Sequence, residues 1–310
     1  MPTGIDADTG QRVSDFPAAD FTVTIGRLKP FLFTGHYPYD LVEIGLADDP
    51  RGEAELVVAR PWLPSLGPGA NKWDRGHVGV RAGSPEKTGA AVLACRGALR
   101  GGAGLVTLCV AREAWDRLSG LPPEVMVVEP GSSFTPDAWV VGPGLGRAAD
   151  DEVRACWSTF PGPAVFDADA LRALDGRPSP HPRVITPHAG EAASLLGDDW
   201  RTLEGDRLAT ATRLSGTATC IYKGVHPVVS GTPLAIVPGA AAALGTGGSG
   251  DVLAGLCGAL LAQARTGGLD RSRLDAVALA AAWLHQEAAR GLPAGSLPSE
   301  VADRVPGVRG

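Results

Sequence analysis

Four glycines and one carboxylate fall within seven consecutive residues of this chain, Gly245 to Asp251. Glycine has no Cβ, so the backbone of such a segment can approach a ligand closely. An apolar run long enough for a helix follows at once, and the first N–H groups of a helix attract an anion. A carboxylate beside an anion site suits a base that deprotonates a hydroxyl attacking phosphate. We therefore interpret Asp251 as a catalytic base and Gly247-Gly248-Ser249-Gly250 as the anion hole of a phosphoryl-transfer site.

The glycine-rich segment fits a dinucleotide site or a plain turn less well. The spacing Gly245-x-Gly247-x-x-Gly250 matches a dinucleotide fingerprint, but that motif should follow a strand, and residues 238–244 do not resemble one. A tight turn without a ligand would account for one or two glycines, not for four and an acid. A Walker-type phosphate loop is excluded at residues 83–88, because Glu86 stands where that motif needs glycine.

Composition narrows the class of protein. The chain has 310 residues, of which 44% are hydrophobic, and a net charge of −6. The acidic balance and the dispersed basic residues argue against a nucleic-acid partner. No apolar run reaches the roughly 18 residues that a membrane span needs. Five scattered cysteines suit reduced core thiols, and the acidic N-terminus does not resemble a signal peptide, so we expect a cytoplasmic protein.

From residue 77 onward, short apolar runs alternate with helical patterns. The apolar runs are 77–81, 105–110, 138–141, 164–166 and 184–186. Such runs predict an α/β fold with a mostly parallel sheet covered on both faces. Short connections between 219–222, 227–230 and 234–237 predict an antiparallel portion. Helices are predicted over 89–100, 251–264 and 272–290.

Polar or glycine-rich turns follow several of the predicted strands. They are 142–146, Asp167 with Asp169, 186–191, and Lys223 with Gly224. In open parallel sheets ligands bind at the carboxyl ends of strands, so we expect these turns to lie together. Taken singly, each turn also suits a purely structural role. The aspartates suit turns or helix caps, His188 suits a cap, and Lys223 suits a solvated side chain.

These segments, in this order, resemble the NAD(P)H-hydrate dehydratase family of the ribokinase-like superfamily. The matching segments, within about residues 70–306, are 76–77, 82–84, 89–100, 102–107, 141–146, 167–171, 186–191, 223–224, 247–251 and 283–285. The glycine loop alone would not separate this family from vitamin and sugar kinases. The resemblance implies a three-layer α/β sandwich with a mostly parallel central sheet.

The resemblance also implies a metabolite-repair reaction. Hydrated NADH or NADPH, called NAD(P)HX, carries a hydroxyl that the family is thought to phosphorylate from ADP or ATP, after which loss of phosphate restores NAD(P)H. The residues implied at the nucleotide are Lys223, Gly224, Val225, His226, Pro227 and Gly250. Those implied at the hydrated substrate are Ala90, Gly144, His188 and Asp251. Magnesium is implied as well, with no ligand identified, because phosphoryl transfer usually needs a divalent ion.

Residues 1–60 resemble the last part of an epimerase domain that often precedes this dehydratase. The matches are Pro2-Thr3-Gly4-Ile5-Asp6, residues 22–26 with Lys29, and residues 42–45. In that domain the catalytic aspartate lies just ahead of the proline, where this sequence has Met1. We therefore interpret residues 1–60 as a small, β-rich, truncated and inactive tail. Residues 61–310 are interpreted as the dehydratase domain. Sixty residues bury little alone, so we expect this tail to dock on the rest of the chain or on a second copy, and the protein to be a homo-oligomer.

The sequence departs from the family pattern at three places. They are Trp73 after Lys72, the alanine-rich residues 237–243, and His226-Pro227. Two alternatives therefore stay open: a small-molecule kinase of the same superfamily, and a catalytically weakened nucleotide-binding relative. The context of His188 and Gly144 favours a dehydratase over a kinase, and the retained Asp251 with its glycines favours an active enzyme. The choices between ADP and ATP and between NADHX and NADPHX are left open.

Overall fold

The computed structural model describes residues 54–239, 241–265 and 268–310. Before residue 54 it describes residues 5–6, 13–14, 22–25, 28–29, 32, 39–42 and 44. The described residues form a ten-stranded sheet with helices on both faces, and a separate pair of short parallel strands. The main body is therefore a three-layer α/β sandwich.

The strands and helices are numbered along the chain. Strands β1 to β12 are Thr22–Ile25, Tyr39–Val42, Ala54–Leu56, His77–Arg81, Leu105–Cys109, Val125–Val128, Ala138–Val141, Ala164–Phe166, Arg183–Ile185, Thr219–Tyr222, Val228–Val229 and Leu234–Ile236. Helices α1 to α9 are Thr88–Arg100, Asp150–Thr159, Asp169–Ala173, Ala189–Leu196, Trp200–Gly205, Arg207–Ser215, Ser249–Ala264, Arg271–Ala289 and Pro298–Arg309. Two 3-10 segments span Arg112–Arg117 and Ala242–Gly245.

The main sheet is parallel except at one end. Its strand order is β3-β12-β11-β10-β9-β8-β7-β4-β5-β6. Only the β10–β11 and β11–β12 pairs among these described strands are antiparallel. The predicted mostly parallel sheet with an antiparallel portion is therefore confirmed.

Consecutive residues of the central strands pack into different cores. Val165 and Val184 belong to the hydrophobic cluster that includes α1, α7, α8 and α9. Their neighbours Phe166 and Ile185 belong to the cluster on the other face. Side chains alternate along a strand, so covering both faces requires the nearly continuous apolar runs seen in the sequence. At Gly255 in α7, an added Cβ would lie 1.9 Å from the Ala94 carbonyl oxygen of α1, so these two helices are in direct backbone contact.

The residues before β4 lie along the main body. β3 pairs with β12, and the Val57 N–H then donates to the Ile236 carbonyl at 2.9 Å. Leu63 packs against the core, and the Arg273 guanidinium lies 3.7 Å from the centre of the Trp62 ring. The proline-rich residues 60–69 are therefore packed against the domain at Trp62 and Leu63.

The earlier part of the chain also touches the main sheet. Ile5 and Leu32 are buried in a small cluster with Ile236 of β12. In β1 the polar Thr22 and Thr24 are buried, whereas the apolar Val23 and Ile25 are exposed. This is the reverse of the usual pattern, in which the apolar side chains of a strand are buried. The cluster around Ile236 agrees with the expectation that this part of the chain docks on the rest.

Element prediction succeeded best where the patterns were long. The helices predicted over 89–100, 251–264 and 272–290 correspond to α1, α7 and α8. β6 and α9 were not predicted from the sequence. The expectation that residues 1–60 are β-rich falls mostly outside the described residues. None of the helices that the structure describes is long and apolar enough to cross a membrane.

Candidate active site

Three neighbouring strands deliver polar residues to one edge of the sheet. β8, β9 and β10 are adjacent, and beyond their carboxyl ends lie Asp167, His188 and Lys223. All three side chains line a cavity of about 720 Å³, together with Glu191 and Asp251. The structure thus brings together the strand-end residues that the sequence singled out, at the edge where open parallel sheets bind ligands.

Lys223 is the cation at the centre of this cavity. Its Nζ donates to Asp167 Oδ1 at 2.7 Å and lies 3.4 Å from Glu191 Oε2. Asp167 is fully buried and also accepts a 2.7 Å hydrogen bond from the Thr186 hydroxyl. Burial by itself would lower the pKa of Lys223, but the two carboxylates outweigh burial and raise that pKa above its usual value. Lys223 is therefore a fixed positive charge at neutral pH.

The glycine loop leads into helix α7 beside this cation. Gly248 has a φ of +100°, which glycine adopts readily, and α7 begins at Ser249. An added Cβ on Gly250 would lie 3.2 Å from Lys223 Nζ, so the first turn of α7 adjoins the ammonium group. The Ser249 hydroxyl donates to the Leu244 carbonyl at 2.8 Å and ties the loop to the preceding 3-10 segment. A helix N-terminus next to a lysine is a phosphate-binding arrangement.

Asp251 lies in the first turn of α7, and Gly247, Gly248, Ser249 and Gly250 line the cavity with it. Burial, and then the nearby charge of Asp167, raise the pKa of Asp251 to about 7, while Lys223 acts in the opposite direction. A carboxylate with a pKa near the ambient pH can take up a proton and release it again, as a general base must. The geometry and the pKa both suit the role inferred from the sequence.

The segment after β10 forms an apolar part of the cavity. Next to Lys223, this part is lined by Gly224, Val225 and Pro227. His226 instead accepts a 2.9 Å hydrogen bond at Nδ1 from the Gly239 N–H. A further apolar part of the cavity wall includes Ala241, Ala242, Leu244 and Leu253. The alanine-rich departure from the family pattern therefore contributes directly to this wall.

Arg207 is a site-supporting residue that no sequence motif revealed. Its buried guanidinium donates to the carbonyl groups of Tyr222 and Lys223 at 3.2 and 3.1 Å. It also lies 4.2 Å from the centre of the Tyr222 ring and pairs with Glu204. An added Cβ on Gly224 would lie 2.5 Å from the same guanidinium. Arg207 therefore fixes the end of β10 and, with it, the backbone position of Lys223.

His188 both caps a helix and faces the cavity. Its Nδ1 accepts hydrogen bonds from the Gly190 and Glu191 N–H groups at 3.0 and 3.3 Å, at the N-terminus of α4. The Glu191 carboxylate in turn accepts the His188 N–H at 2.9 Å, completing a capping box. The cap suggested by the sequence is therefore present, and the ring remains 59% exposed at the cavity.

Ala90 and Gly144 meet on the flank of the cavity and do not line it. An added Cβ on Gly144 would lie 2.9 Å from Ala90 Cβ. Next to them, Asp169 accepts a 3.0 Å hydrogen bond from Lys87 Nζ. The charge of Asp169 contributes to the raised pKa of Asp251, so a carboxylate on this flank influences the ionisation of the residue that ends the glycine loop.

Helix α8 supplies two further cavity residues, His285 and Gln286, to which no sequence pattern assigned a role. Both are more than nine-tenths buried. Across the described residues, His285 Nε2 and Gln286 Oε1 have no hydrogen-bond partner. Burial lowers the pKa of His285 to about 4, although a hydrogen bond with the Ser249 backbone acts in the opposite direction. The His285 ring is therefore neutral at physiological pH.

The part of the chain that the structure describes holds no group of three or more His, Cys, Asp or Glu side chains able to bind a metal ion. Two carboxylates, Asp167 and Glu191, nevertheless lie at the cavity beside Lys223. A divalent ion at this place would therefore need oxygen ligands from a bound molecule as well as from the protein.

The geometry agrees with a comparison against protein-family models. A model described as NAD(P)H-hydrate dehydratase matches residues 78–304, which include the strand ends, the glycine loop and α8. The chain belongs to the NAD(P)H-hydrate dehydratase family. The family resemblance inferred from the sequence is confirmed.

Curated relatives of this chain are longer than it is. It is 37% identical over 290 residues to the bifunctional NAD(P)H-hydrate repair enzyme Nnr of Escherichia coli (strain K12), covering 85% of this chain and 56% of that protein. It is 33% identical over 306 residues to Nnr of Salinibacter ruber, with the same two coverages. The chain therefore spans a little over half the length of these relatives.

Solved structures share the dehydratase fold. The ADP/ATP-dependent NAD(P)H-hydrate dehydratase of Bacillus subtilis, co-crystallised with ATP and Mg²⁺, matches with a TM-score of 0.69 and 26% identity, covering 80% of this chain and 93% of that one. A ribokinase-like superfamily protein of Enterococcus faecalis V583 matches with a TM-score of 0.67 and 21% identity, covering 79% of this chain and 90% of that one. The predicted ribokinase-like architecture is confirmed.

Proposed function

We propose that this chain dehydrates NAD(P)HX to NAD(P)H through a phosphorylated intermediate, with ADP or ATP as phosphoryl donor. The observation that carries the proposal is Asp251, a carboxylate with a pKa of about 7 in the first turn of a helix whose glycine loop adjoins Lys223. Such a site can deprotonate a hydroxyl and stabilise phosphate charge together. Family membership supplies the substrate class.

The chemistry proceeds in two stages. Asp251 first takes the proton of the ring hydroxyl while the hydroxyl oxygen attacks the terminal phosphorus of the nucleotide. The bond from that phosphorus to the rest of the nucleotide breaks, and AMP or ADP leaves with the bonding electrons. The new phosphate ester then departs as inorganic phosphate with the C–O electron pair. The neighbouring ring carbon loses a proton to solvent, and the electrons of its C–H bond restore the double bond of NAD(P)H.

Different parts of the cavity would bind different parts of the two ligands. Gly247-Gly248-Ser249-Gly250 and Lys223 would hold the phosphoryl group being transferred, because preorganised N–H donors and a cation stabilise the charge that develops there. The apolar stretch from Gly224 to Pro227 would hold the rest of the nucleotide. His188, with Ala90 and Gly144 on the flank, would hold the hydrated nicotinamide. Asp251 lies where the two ligands would meet.

A magnesium ion fits this site if substrate phosphates complete its coordination. Asp167 and Glu191 offer the hard oxygen ligands that Mg²⁺ prefers, and Mg²⁺ is usually bound through one or two carboxylates plus substrate phosphates and water. When bound, the ion would neutralise charge developing on the phosphoryl group. The Bacillus subtilis relative was co-crystallised with ATP and Mg²⁺.

The proposal is tested by incubating the protein with NADHX and either ADP or ATP. We expect the absorbance of the reduced nicotinamide ring to return only when a nucleotide is present, with one inorganic phosphate released per NADH. A kinase of the same superfamily would consume nucleotide and accumulate a phosphorylated product without restoring NADH. A weakened nucleotide-binding relative would bind nucleotide and do neither.

Replacing Lys223 tests the electrostatics of the site. We expect Lys223→Met to lower kcat/KM at least tenfold, because the anion site loses its cation. The acidic limb of the pH profile should also move to higher pH, since Lys223 holds the pKa of Asp251 down and a base must be ionised to act. The control is Lys72→Met, because the Lys72 backbone lies against Gly104, at the amino end of β5. Unchanged kcat/KM and pH profile in Lys223→Met would contradict this role.

We further propose that residues 61–310 form the dehydratase unit, with β3 added to the edge of its sheet, and that the epimerase-like residues 1–60 take no part in catalysis. No described residue before Asp167 lines the cavity. We expect removal of residues 1–53 to preserve turnover. Removal of residues 1–66 should lower the melting temperature further, because it also deletes β3 and the packing of Trp62 and Leu63. Calorimetry and NADH recovery measure the stability and the turnover of both truncated proteins. Loss of turnover when only residues 1–53 are removed would refute this assignment of the dehydratase unit.

A homo-oligomer in the cytoplasm completes the proposal. The exposed Val23 and Ile25 of β1 and Val42 of β2, which pairs with Ile25, lie on one face of this strand pair and offer an apolar surface that a second copy could cover. All five cysteines are unpaired, which suits a reducing compartment. Light scattering on the purified chain measures the number of copies, and a monomer at all concentrations would contradict the homo-oligomer.

A further inference from the structure

The turn between β8 and α3 holds a strained residue at the wall of the active-site cavity. Ala168 has a φ of +50° and a ψ of −122°, and among the described residues it alone combines a side chain with a positive φ. Such a backbone costs free energy and persists only where its surroundings hold it, most often at ligand sites. Ala168 lines the cavity between Asp167 and Asp169. The strain therefore directs attention to what these two carboxylates hold.

The two carboxylates of this turn bind different parts of the molecule. Asp167 contacts the ammonium group at the centre of the cavity. Asp169 instead accepts three hydrogen bonds on the flank. Its Oδ2 accepts from Lys87 Nζ and from the Gly146 N–H, both at 3.0 Å, and its Oδ1 accepts from the Arg172 guanidinium at 3.1 Å. One carboxylate thus joins the start of α1, the loop after β7 and helix α3.

The contacts of Asp169 meet on either side of Gly144. An added Cβ on Gly144 would lie 2.7 Å from the Lys87 carbonyl oxygen and 2.9 Å from Ala90 Cβ, so the loop after β7 lies directly against the first turn of α1. Asp169 Oδ2 binds the Lys87 side chain on one side of this contact and the Gly146 backbone on the other. It therefore fixes how Gly144 lies against Ala90.

We propose that Asp169 is a positioning residue for the hydrated nicotinamide dinucleotide, holding Gly144 and Ala90 in the arrangement that this substrate needs. The inference rests on the proposed function, which places the hydrated dinucleotide on this flank. Asp169 does not line the cavity, so its effect on binding must pass through the groups that it holds. Groups that bind a ligand have to be fixed to within about 0.5 Å by the hydrogen bonds around them.

Asp169→Asn tests this role. All three partners of Asp169 are donors, and the amide nitrogen of asparagine is a donor as well, so at least one contact is lost. We expect the KM for NADHX to rise about tenfold or more, the usual effect of losing a hydrogen bond to a charged group, and the KM for ADP or ATP to stay unchanged. Initial rates with each substrate varied in turn measure both values.

Binding measurements give the same comparison without turnover. Asp169→Asn should bind NADH, followed by its fluorescence, more weakly than the wild type does. It should bind ADP, followed by calorimetry, as the wild type does. Asp169→Ser shortens the side chain and should show the same selectivity, so it serves as a second variant if Asp169→Asn does not fold.

Asp150→Asn is the matched control. Asp150 accepts a 2.9 Å hydrogen bond from the other Nη nitrogen of Arg172, and no hydrogen bond among the described residues joins its side chain to Lys87 or Gly146. Its loss should leave the KM values for NADHX and for the nucleotide unchanged. A rise in the KM for NADHX equal to that of Asp169→Asn would show a general loosening of the ion-pair network and would overturn the inference.

Lys87→Met separates positioning from direct contact. The Lys87 side chain is 54% exposed, and Asp169 keeps Gly146 and Arg172 when it is removed. If Asp169 acts by position, Lys87→Met should raise the KM for NADHX less than Asp169→Asn does. If Lys87→Met raises it as much or more, the ammonium group binds the substrate itself, and the inference is wrong.

Two further results would overturn the inference, and one would spare it. An unchanged KM for NADHX in Asp169→Asn, with NADH restored by the wild type, refutes this inference alone. Equal losses of affinity for NADH and ADP also refute it, because a merely structural role predicts them. Wild-type protein that restores no NADH, but whose affinity for NADH alone falls in Asp169→Asn, refutes the proposed function and leaves the positioning role standing.

Discussion

Asp251→Asn should lower the turnover number by about 10²–10⁴-fold, the usual contribution of a positioned general base. The amide keeps the shape of the side chain but cannot accept the hydroxyl proton. Nucleotide affinity should change little, because Lys223 and the glycine loop remain. In the wild-type protein kcat/KM should fall as the pH drops below about 7, where Asp251 becomes protonated. This acidic limb should be absent from the residual activity of the variant. Steady-state kinetics from pH 5 to 9 and calorimetric nucleotide binding measure these effects.

The stability of the same variant separates loss of chemistry from loss of fold. The pKa of Asp251 is raised in the folded protein, so its ionisation disfavours folding, and stability falls as the pH rises from about 4 towards 7. Asp251→Asn removes that penalty and should melt at a temperature equal to or higher than the wild type at pH 8. Asp303 of α9 pairs with Arg96 and Arg100 of α1 and does not line the cavity, so Asp303→Asn should keep normal turnover. Near-normal turnover in Asp251→Asn would refute the assignment of the base.

Gly248→Val should abolish most of the turnover by moving the anion loop. The residue has a φ of +100°, and an added Cβ would lie 2.4 Å from Leu93 Cδ1 of α1. A branched side chain cannot keep this backbone conformation, so the loop must shift. Loss of one preorganised donor costs about 2.7–4 kcal/mol in comparable oxyanion sites, which corresponds to a loss of turnover of about 10²–10³-fold.

Gly291→Val provides the control for backbone strain. Gly291 also has a positive φ, +73°, but an added Cβ meets nothing within 4 Å, and the residue lies beyond the end of α8, outside the cavity. Both variants should lose about 1–3 kcal/mol of folding free energy from strain. Only Gly248→Val should lose turnover when both are assayed well below their melting temperatures. Equal activity in the two folded variants would mean that the loop does not position phosphate.

The sequence predicted the part of the site that depends on local chemistry. The glycine loop and Asp251 form a short motif that its own residues reveal, and the position of the polar turns after β8, β9 and β10 follows from the rule for parallel sheets. His285 lies in a segment that carries the family resemblance, but its burial at the cavity and the places of Gln286 and Arg207 could not be found in this way, because they depend on which helix face packs against which strand end. A buried acceptor without a partner is visible only once the surrounding atoms are placed.

The fold was predictable where apolar patterns were long and missed where they were short or interrupted. β6 has four residues at the edge of the sheet, and Met126 is largely exposed, so its pattern is weak. α9 contains Pro306 followed by Gly307, two residues that disfavour a helix interior. The pairing of β3 with β12 joins residues 180 positions apart, and no local pattern specifies such a contact.

The most direct test of the proposed chemistry follows the oxygen atom of the substrate hydroxyl. NADHX prepared in water enriched in oxygen-18 carries the label on the hydroxyl that Asp251 is proposed to deprotonate. After turnover with ADP or ATP in ordinary water, mass spectrometry of the inorganic phosphate should find one labelled oxygen per phosphate released. This result is expected if the hydroxyl is phosphorylated before it leaves. Unlabelled phosphate, with the label in water and NADH restored, would contradict a phosphorylated intermediate.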